Sequence, residues 1–313
     1  MGIGHGGGIS AAPDLRQGDE LLVVLVLSHD KREHTLRCLA SVAALRYRPR
    51  EVVVVDNGSA DSSADAIAAA HPGVHLVRSA DNLGAAGGRN LGIRYAARFP
   101  WSYLLLLDDD AQADEQLADA LVAALRADPK AGLATPKAYR TDLPGVIASA
   151  GGMRIQLGRG SIVDIGAGQR DTGQFDRPGY VDSCVGFAVL IRRDALDAVV
   201  GLDEAYNPYG WEEVDLSLRA RRAGYAIRYV PSAIAYHAGG IRGRGRPVPE
   251  YERGKTANYL RLMRRHATPL EWLGFAVAAP ARAVVLLIRD LARGQWRAAA
   301  ARVRGVIDSA RSG

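Results

Sequence analysis

Cysteine is scarce in this chain, and its two copies, Cys38 and Cys184, stand far apart. Without paired spacings there is no disulfide framework and no zinc cluster to read, and such usage fits a reducing compartment. The opening MGIGHGGGIS has neither a basic start nor an apolar core, so it does not read as a secretory signal. Residues 1–18 are expected to form a flexible tail. A large charge excess is missing too: 40 Lys+Arg against 34 Asp+Glu leave a formal +6. That supports mild attraction to anionic partners and singles out none of them. Internal repeats are absent.

What remains is an ordinary globular balance, 48% apolar and 24% charged, in 313 residues. That length suffices for one α/β domain with an appendage. Residues 21–27 (LLVVLVL), 51–55 (EVVVV) and 103–107 (YLLLL) are short, unbroken apolar runs rich in branched side chains. Such runs suit strands covered on both faces. Helical patterns over 31–46, 61–70, 85–98 and 114–127 separate and follow them. Strands alternating with helices predict a doubly wound, mostly parallel sheet with helices on both faces. From 131 to 182 the pattern weakens into short strands with many glycines, a broken region expected on the acceptor side. A strand over 184–191, a short helix over 194–200 and a charged helix over 212–223 follow, with last strands at 226–230 and 233–236. Residues 19–245 are expected to form this domain.

Residues 246–313 differ in composition and predict a C-terminal helical extension. KTANYLRLMRRH reads as an amphipathic basic helix. Residues 270–288 are nearly apolar but carry Pro280 and Arg282, borderline for a bilayer span of about 20 residues. Basic flanks, tryptophans and an apolar centre suit a segment lying on an anionic membrane surface. Packing on the main domain, or pairing with a second copy, are the alternatives.

Chemistry concentrates at a few points. Asp108-Asp109-Asp110 follows directly on YLLLL. Three adjacent carboxylates repel one another, and a divalent cation is a natural offset. In extended chain Asp108 and Asp110 point the same way and Asp109 faces elsewhere. Oxygen ligands of this kind suit Mg²⁺ or Mn²⁺, and a solvated acidic turn is the plainer reading. Asp56 ends EVVVV, where it can accept from a ribose or base or simply close an Asx turn; Ser59 or Asp61 can cap the next helix. Asn82 to Asn90 (NLGAAGGRN) offers glycines and a helix start to phosphate, with Arg89 as a fixed cation. Trp211-Glu212-Glu213-Val214-Asp215 places acids at a helix start, which suits the helix dipole or a general base. Asp215 and Arg219, four apart, are expected to pair structurally. His237 follows a short strand.

Taken as an ordered set, these motifs resemble the family-2 glycosyltransferases of the GT-A fold. The likeness covers about residues 21–240 and is greatest for the bacterial rhamnosyl- and galactofuranosyltransferase branch. It implies an inverting, metal-dependent hexosyltransferase that moves a sugar from a dTDP-, UDP- or GDP-linked donor to a glycan or lipid-linked acceptor in cell-wall or polysaccharide synthesis. Asp56, with Ser28, Asn82, Gly87, Arg89, Asp108 and Asp109, would bind the nucleotide sugar. Asp108, Asp110 and His237 would hold Mn²⁺ or Mg²⁺, and Glu213, or its neighbour Glu212, would be the base. The family usually has Asp at that position, and the opening Ser28-His29-Asp30 also departs from its pattern. The implied setting is cytoplasmic, peripheral on the inner face of the plasma membrane, with no nucleic acid partner. A sugar nucleotidyltransferase is the enzyme alternative, but its phosphate loop after the first strand should be glycine-rich, and SHDKREH has no glycine. A catalytically dead membrane-surface protein is the other.

Overall fold

The computed structural model describes residues 20–208, 210–238 and 248–311. The proposed tail and the boundary near 245 lie outside them. The chain alternates as expected through β1 (Leu21–Ser28), α1 (Arg32–Ala44), β2 (Arg50–Asn57), α2 (Ser63–Ala70), β3 (His75–Ser79), α3 (Gly84–Ala96) and β4 (Trp101–Asp108). Then come β5 (Ala111–Ala113), α4 (Leu117–Ala127), β6 (Ala131–Arg140), β7 (Ile147–Ala150), β8 (Met153–Gln156), β9 (Ser161–Asp164) and β10 (Gly179–Tyr180). β11 (Ala188–Arg192), α5 (Arg193–Val199), α6 (Glu212–Arg222) and β12 (Ala226–His237) complete the sheet region.

The main sheet runs β10-β12-β6-β11-β4-β1-β2-β3, with β5 on β12 and β7 on β6. β1, β2, β3 and β4 are parallel, and β11 is the antiparallel strand between β4 and β6. The unbroken apolar run of β1 follows from its central place. Leu22, Val24 and Val26 enter the core beneath α1 and α4, while Leu21, Val23 and Leu25 enter the one on the other face, with α3, α5 and α6. Gly92 of α3 serves this packing: a Cβ there would stand 2.2 Å from Leu25 Cδ1, so the helix lies directly on the strand.

Four points differ from expectation. The weak stretch from 131 begins with a ten-residue strand, β6, near the middle of the sheet. Gly132, Pro136 and Lys137 disguise it. Gly132 makes room for the Tyr225 ring, and the pairing of β12 is irregular just after Pro136, which has no amide to donate. That irregularity also joins the two expected last strands into one. β11 starts at Ala188 rather than at 184, and β3, with only five residues, is an added strand.

The extension is helical: α7 (Pro249–His266), α8 (Pro269–Ala292) and α9 (Trp296–Arg311). Leu262 of α7 joins Tyr206 and Val214, seating the helix against α6. α8 begins at a capping box of Thr268 and Glu271 and runs through Pro280. Phe275 packs with Leu157 and Met263, yet Leu273 (65%), Val277 (76%) and Ile288 (60%) stay exposed. By length and composition alone α8 could cross a membrane.

Candidate active site

The parallel strands end together, so β1, β2 and β4 deliver their last residues to one edge. Ser28 lies beside Asp56, and Leu27 beside Asp108. β5 follows immediately and pairs with the end of β12, setting His237 opposite Ala111. The late histidine thereby reaches the triple-aspartate corner. One ligand atom each from Asp108, Asp110 and His237 lies within 4.8 Å of the others. Trans ligands of one Mg²⁺ stand about 4 Å apart, so two carboxylates and an imidazole at this spacing fit such an ion.

The corner is held from several sides. His237 Nε2 lies 3.2 Å from Asp110 Oδ1, and its ring stacks on Phe187 with centroids 4.2 Å apart. The Phe187 carbonyl accepts the Asp108 amide at 3.1 Å. Lys31 Nζ donates to Asp109 Oδ1 at 2.9 Å and to Asp110 Oδ2 at 3.0 Å. Arg89, buried, donates to Asp108 Oδ1 at 2.6 Å, to Glu212 Oε1 at 3.1 Å and to the Gly186 carbonyl at 2.9 Å. The mutual repulsion expected of three carboxylates is thus already offset in part by two protein cations, Lys31 and Arg89.

These environments separate the three acids. Burial pushes Asp109 up to about 6 despite the Lys31 charge, and its Oδ2 accepts the His29 amide at 3.3 Å. Burial opposes ionisation of Asp110 as well, but the hydrogen bond and charge of His237, with Lys31, outweigh it and hold Asp110 well below the usual range. Asp110 therefore stays an anion, and Asp109 lies outside the group of converging ligand atoms while sharing the Lys31 ammonium with Asp110.

At the start of α6 the two glutamates part. Glu212 is buried and bonded to Arg89, and its Oε2 has no hydrogen-bond partner among the described residues. Glu213 is half-buried beside Gly186 and makes no side-chain hydrogen bond or ion pair among the described residues. Burial, then the Glu212 charge, push Glu213 up to about 8. Asp215 is structural: it bonds Arg219 Nε at 2.6 Å and His266 Nε2 at 2.8 Å.

The donor-side candidates divide as well. Asp56 is buried at the strand tip, and its Oδ1 accepts the amide of Ser59, three residues on, at 3.3 Å. Ser28 is fully buried, with its hydroxyl 2.7 Å from that of Thr35. The helix-start reading for phosphate needs correcting. Gly84 N donates to Asn82 Oδ1, Ala86 N to Asn207 Oδ1 and Ala85 N to the Pro208 carbonyl, so the first-turn amides of α3 already have protein acceptors. Gly87 is buried, a methyl there standing 3.0 Å from Leu83 Cβ. Sequence reasoning missed Lys31 and Phe187. The absence of glycine in the first loop drew notice, whereas the lysine following SHD was the informative residue.

Comparisons with known proteins agree with this frame. The profile of Glycosyl transferase family 2 matches residues 23–200. An N-acetylglucosaminyl-diphospho-decaprenol L-rhamnosyltransferase of Mycobacterium tuberculosis is 30% identical over 278 residues, 81% of this chain and 89% of that one. Among solved structures, a mannosyltransferase of Pyrobaculum calidifontis in complex with GDP-Man and Mn²⁺ superposes with a TM-score of 0.56 at 18% identity, covering 92% and 86% of the two chains. GalNAc-T7 with UDP, GalNAc and Mn²⁺ gives a TM-score of 0.60 at 18% identity, over 81% of this chain and about half (51%) of the other.

Proposed function

The chain belongs to glycosyl transferase family 2, and from that premise we propose that it is a metal-dependent, inverting transferase. It moves a sugar of the rhamnose or galactofuranose class from a nucleotide diphosphate to a hydroxyl of a lipid-linked or surface-glycan acceptor. One observation carries the reading. Asp108, Asp110 and His237 converge at the sheet edge, and Arg89 ties that corner to the helix bearing Glu213, whose carboxylate has no ion-pair partner among the described residues.

Asp108, Asp110 and His237 would hold Mn²⁺ or Mg²⁺, which, bound there, neutralises charge on the departing diphosphate. Phe187 and Arg89 fix the orientation of these ligands, and Lys31 adds positive charge on the same side. Glu213 takes the proton from the attacking acceptor hydroxyl, and a single displacement inverts the anomeric centre. The Arg89 bond removes Glu212 from that role and makes it a support. Asp56 stands at the neighbouring strand tip for the nucleoside, and Asp109 backs the corner through Lys31. Residues 19–245 form the transferase unit, and the C-terminal helices rest on the inner face of the plasma membrane. Their 12 Lys+Arg against 5 Asp+Glu over 249–311 hold more than the whole chain's net charge, beside the exposed apolar face of α8. That pairing suits an anionic lipid surface.

The deciding measurement is slow hydrolysis of a panel of nucleotide sugars with Mn²⁺, run with the full chain and with Asp110→Ala. One donor should be hydrolysed, and Asp110→Ala should lose both this leak and Mn²⁺-dependent nucleotide binding by calorimetry. Equal nucleotide affinity for both proteins, with and without Mn²⁺, would remove the metal role.

A further inference from the structure

Lys255 lies on α7, outside the fold that carries the catalytic corner, yet it reaches the turn before Glu213. Its carbonyl accepts from Trp211 Nε1 at 2.9 Å. Its ammonium stands 4.7 Å from the centre of the Trp211 ring and 5.4 Å from that of Tyr251, and donates to Tyr251 Oη at 3.2 Å. Its stem runs beside Gly210, where a methyl group would lie 3.5 Å from Lys255 Cγ. Trp211 holds the left-handed backbone conformation with φ of 78°, which turns the chain directly into Glu212 and Glu213. Trp211 and Tyr251 therefore hold the ammonium beside the turn that leads into Glu213.

What this cation lacks among the described residues is an ion-pair partner. Lys31 and Arg89 each contact two carboxylates, whereas no carboxylate lies within ion-pair distance of Lys255 among the described residues. An ammonium offers three donors, and Tyr251 takes one. Ring faces favour a positive charge but accept no strong hydrogen bond from it. Among the described residues, two donors and the charge have no acceptor.

Resting on the transferase reading above, we infer that Lys255 binds a phosphate or diphosphate of the acceptor, one sugar away from the hydroxyl that Glu213 deprotonates. The acceptor class is thus a sugar carried on a lipid through a phosphate linkage. The location agrees with that chemistry. The helix following α7 is α8, whose apolar face is exposed, so the anion site and a surface suited to a lipid chain belong to one helical unit.

The test is direct binding in metal-free buffer, where diphosphate is not drawn to the donor side. The probes are N-acetylglucosaminyl diphosphate bearing a short prenyl chain, and octyl N-acetylglucosaminide as its uncharged counterpart. The wild-type chain is expected to prefer the charged probe, and Lys255→Met to lose about 10- to 100-fold of that affinity, the worth of one charge-assisted contact. Lys255→Arg should recover part of it. Mn²⁺-dependent nucleotide binding by Lys255→Met should stay unchanged, which shows that the variant is folded. Equal loss for both probes, no loss for either, or no preference in the wild type overturns the assignment. So does a defect of Lys255→Met confined to phosphatidylglycerol vesicles, which would make the lysine a headgroup contact. Failure of the transferase reading itself is seen separately, as absence of hydrolysis of every nucleotide sugar.

Discussion

At the scale of single residues, adjacent identical side chains have different duties because their surroundings differ. Glu212 and Glu213 are chemically equal, but only Glu212 meets Arg89. The free one is destabilised as an anion by burial and by its neighbour. A base must be ionised to accept a proton, so turnover should fall as pH drops through this raised pKa. The acid limb of kcat/KM against pH should lie clearly above about 4.3, the ordinary glutamate value. Glu213→Gln should lower kcat at least about 100-fold, abolish that limb in the residual rate and leave donor affinity near normal. Wild-type turnover in this variant would return the base role to another group. Both glutamates were legible in the sequence, as was the set Asp108, Asp110 and His237. Their assignment was not, since it depends on Arg89 arriving from 123 residues away.

Among elements, α6 matters most because it carries Glu213, the proposed base. Three attachments hold it. Arg219 donates to Asp215 and to the carbonyls of Val199 and Gly201, His266 of α7 reaches Asp215, and Leu262 packs on Val214. Burial alone would raise the Asp215 pKa, but the His266 hydrogen bond and the Arg219 charge outweigh it and hold it down. A depressed pKa stabilises the fold above the unfolded value of about 3.9, and that contribution disappears as pH falls through the folded value. Asp215→Ala leaves the Arg219 guanidinium and the buried His266 ring without their shared acceptor and should cost about 3–5 kcal/mol at pH 7, read by urea unfolding. A loss under about 1 kcal/mol, the level of an exposed pair, would show α6 to be held by packing alone. The i,i+4 spacing announced the Asp215–Arg219 pair, whereas His266 could be found only by folding α7 back. β6 escaped notice for a related reason. Its glycine, proline and lysine are explained by Tyr225, by the irregular pairing of β12 and by acids that contact Lys137 from a distant loop.

For the whole molecule, the exposed apolar face of α8 beside a basic segment sets the expected location. The full chain should co-sediment with phosphatidylglycerol vesicles and less with uncharged ones, and added salt should weaken the binding. Replacing Leu273 and Val277 with aspartate should reduce vesicle binding more than tenfold, because each buried side chain contributes about 1.5–3 kcal/mol, and should spare hydrolysis of the donor. Vesicle binding unchanged by that double substitution would place the membrane contact elsewhere. A mass that rises with protein concentration and falls on the same substitution would assign the face to a second copy of the chain.

The sequence by itself determined the layered α/β order and the acids at the strand ends. Apolar runs, turn residues and strand-end carboxylates are local features that a doubly wound sheet converts into one edge. Only the tertiary structure decided the partners: Lys31 on Asp109 and Asp110, Phe187 on His237, Arg89 between Asp108 and Glu212, and Lys255 over Trp211. Each of these depends on a side chain brought from another element, and neither burial nor a cation's choice of anion is written in the residues next to it.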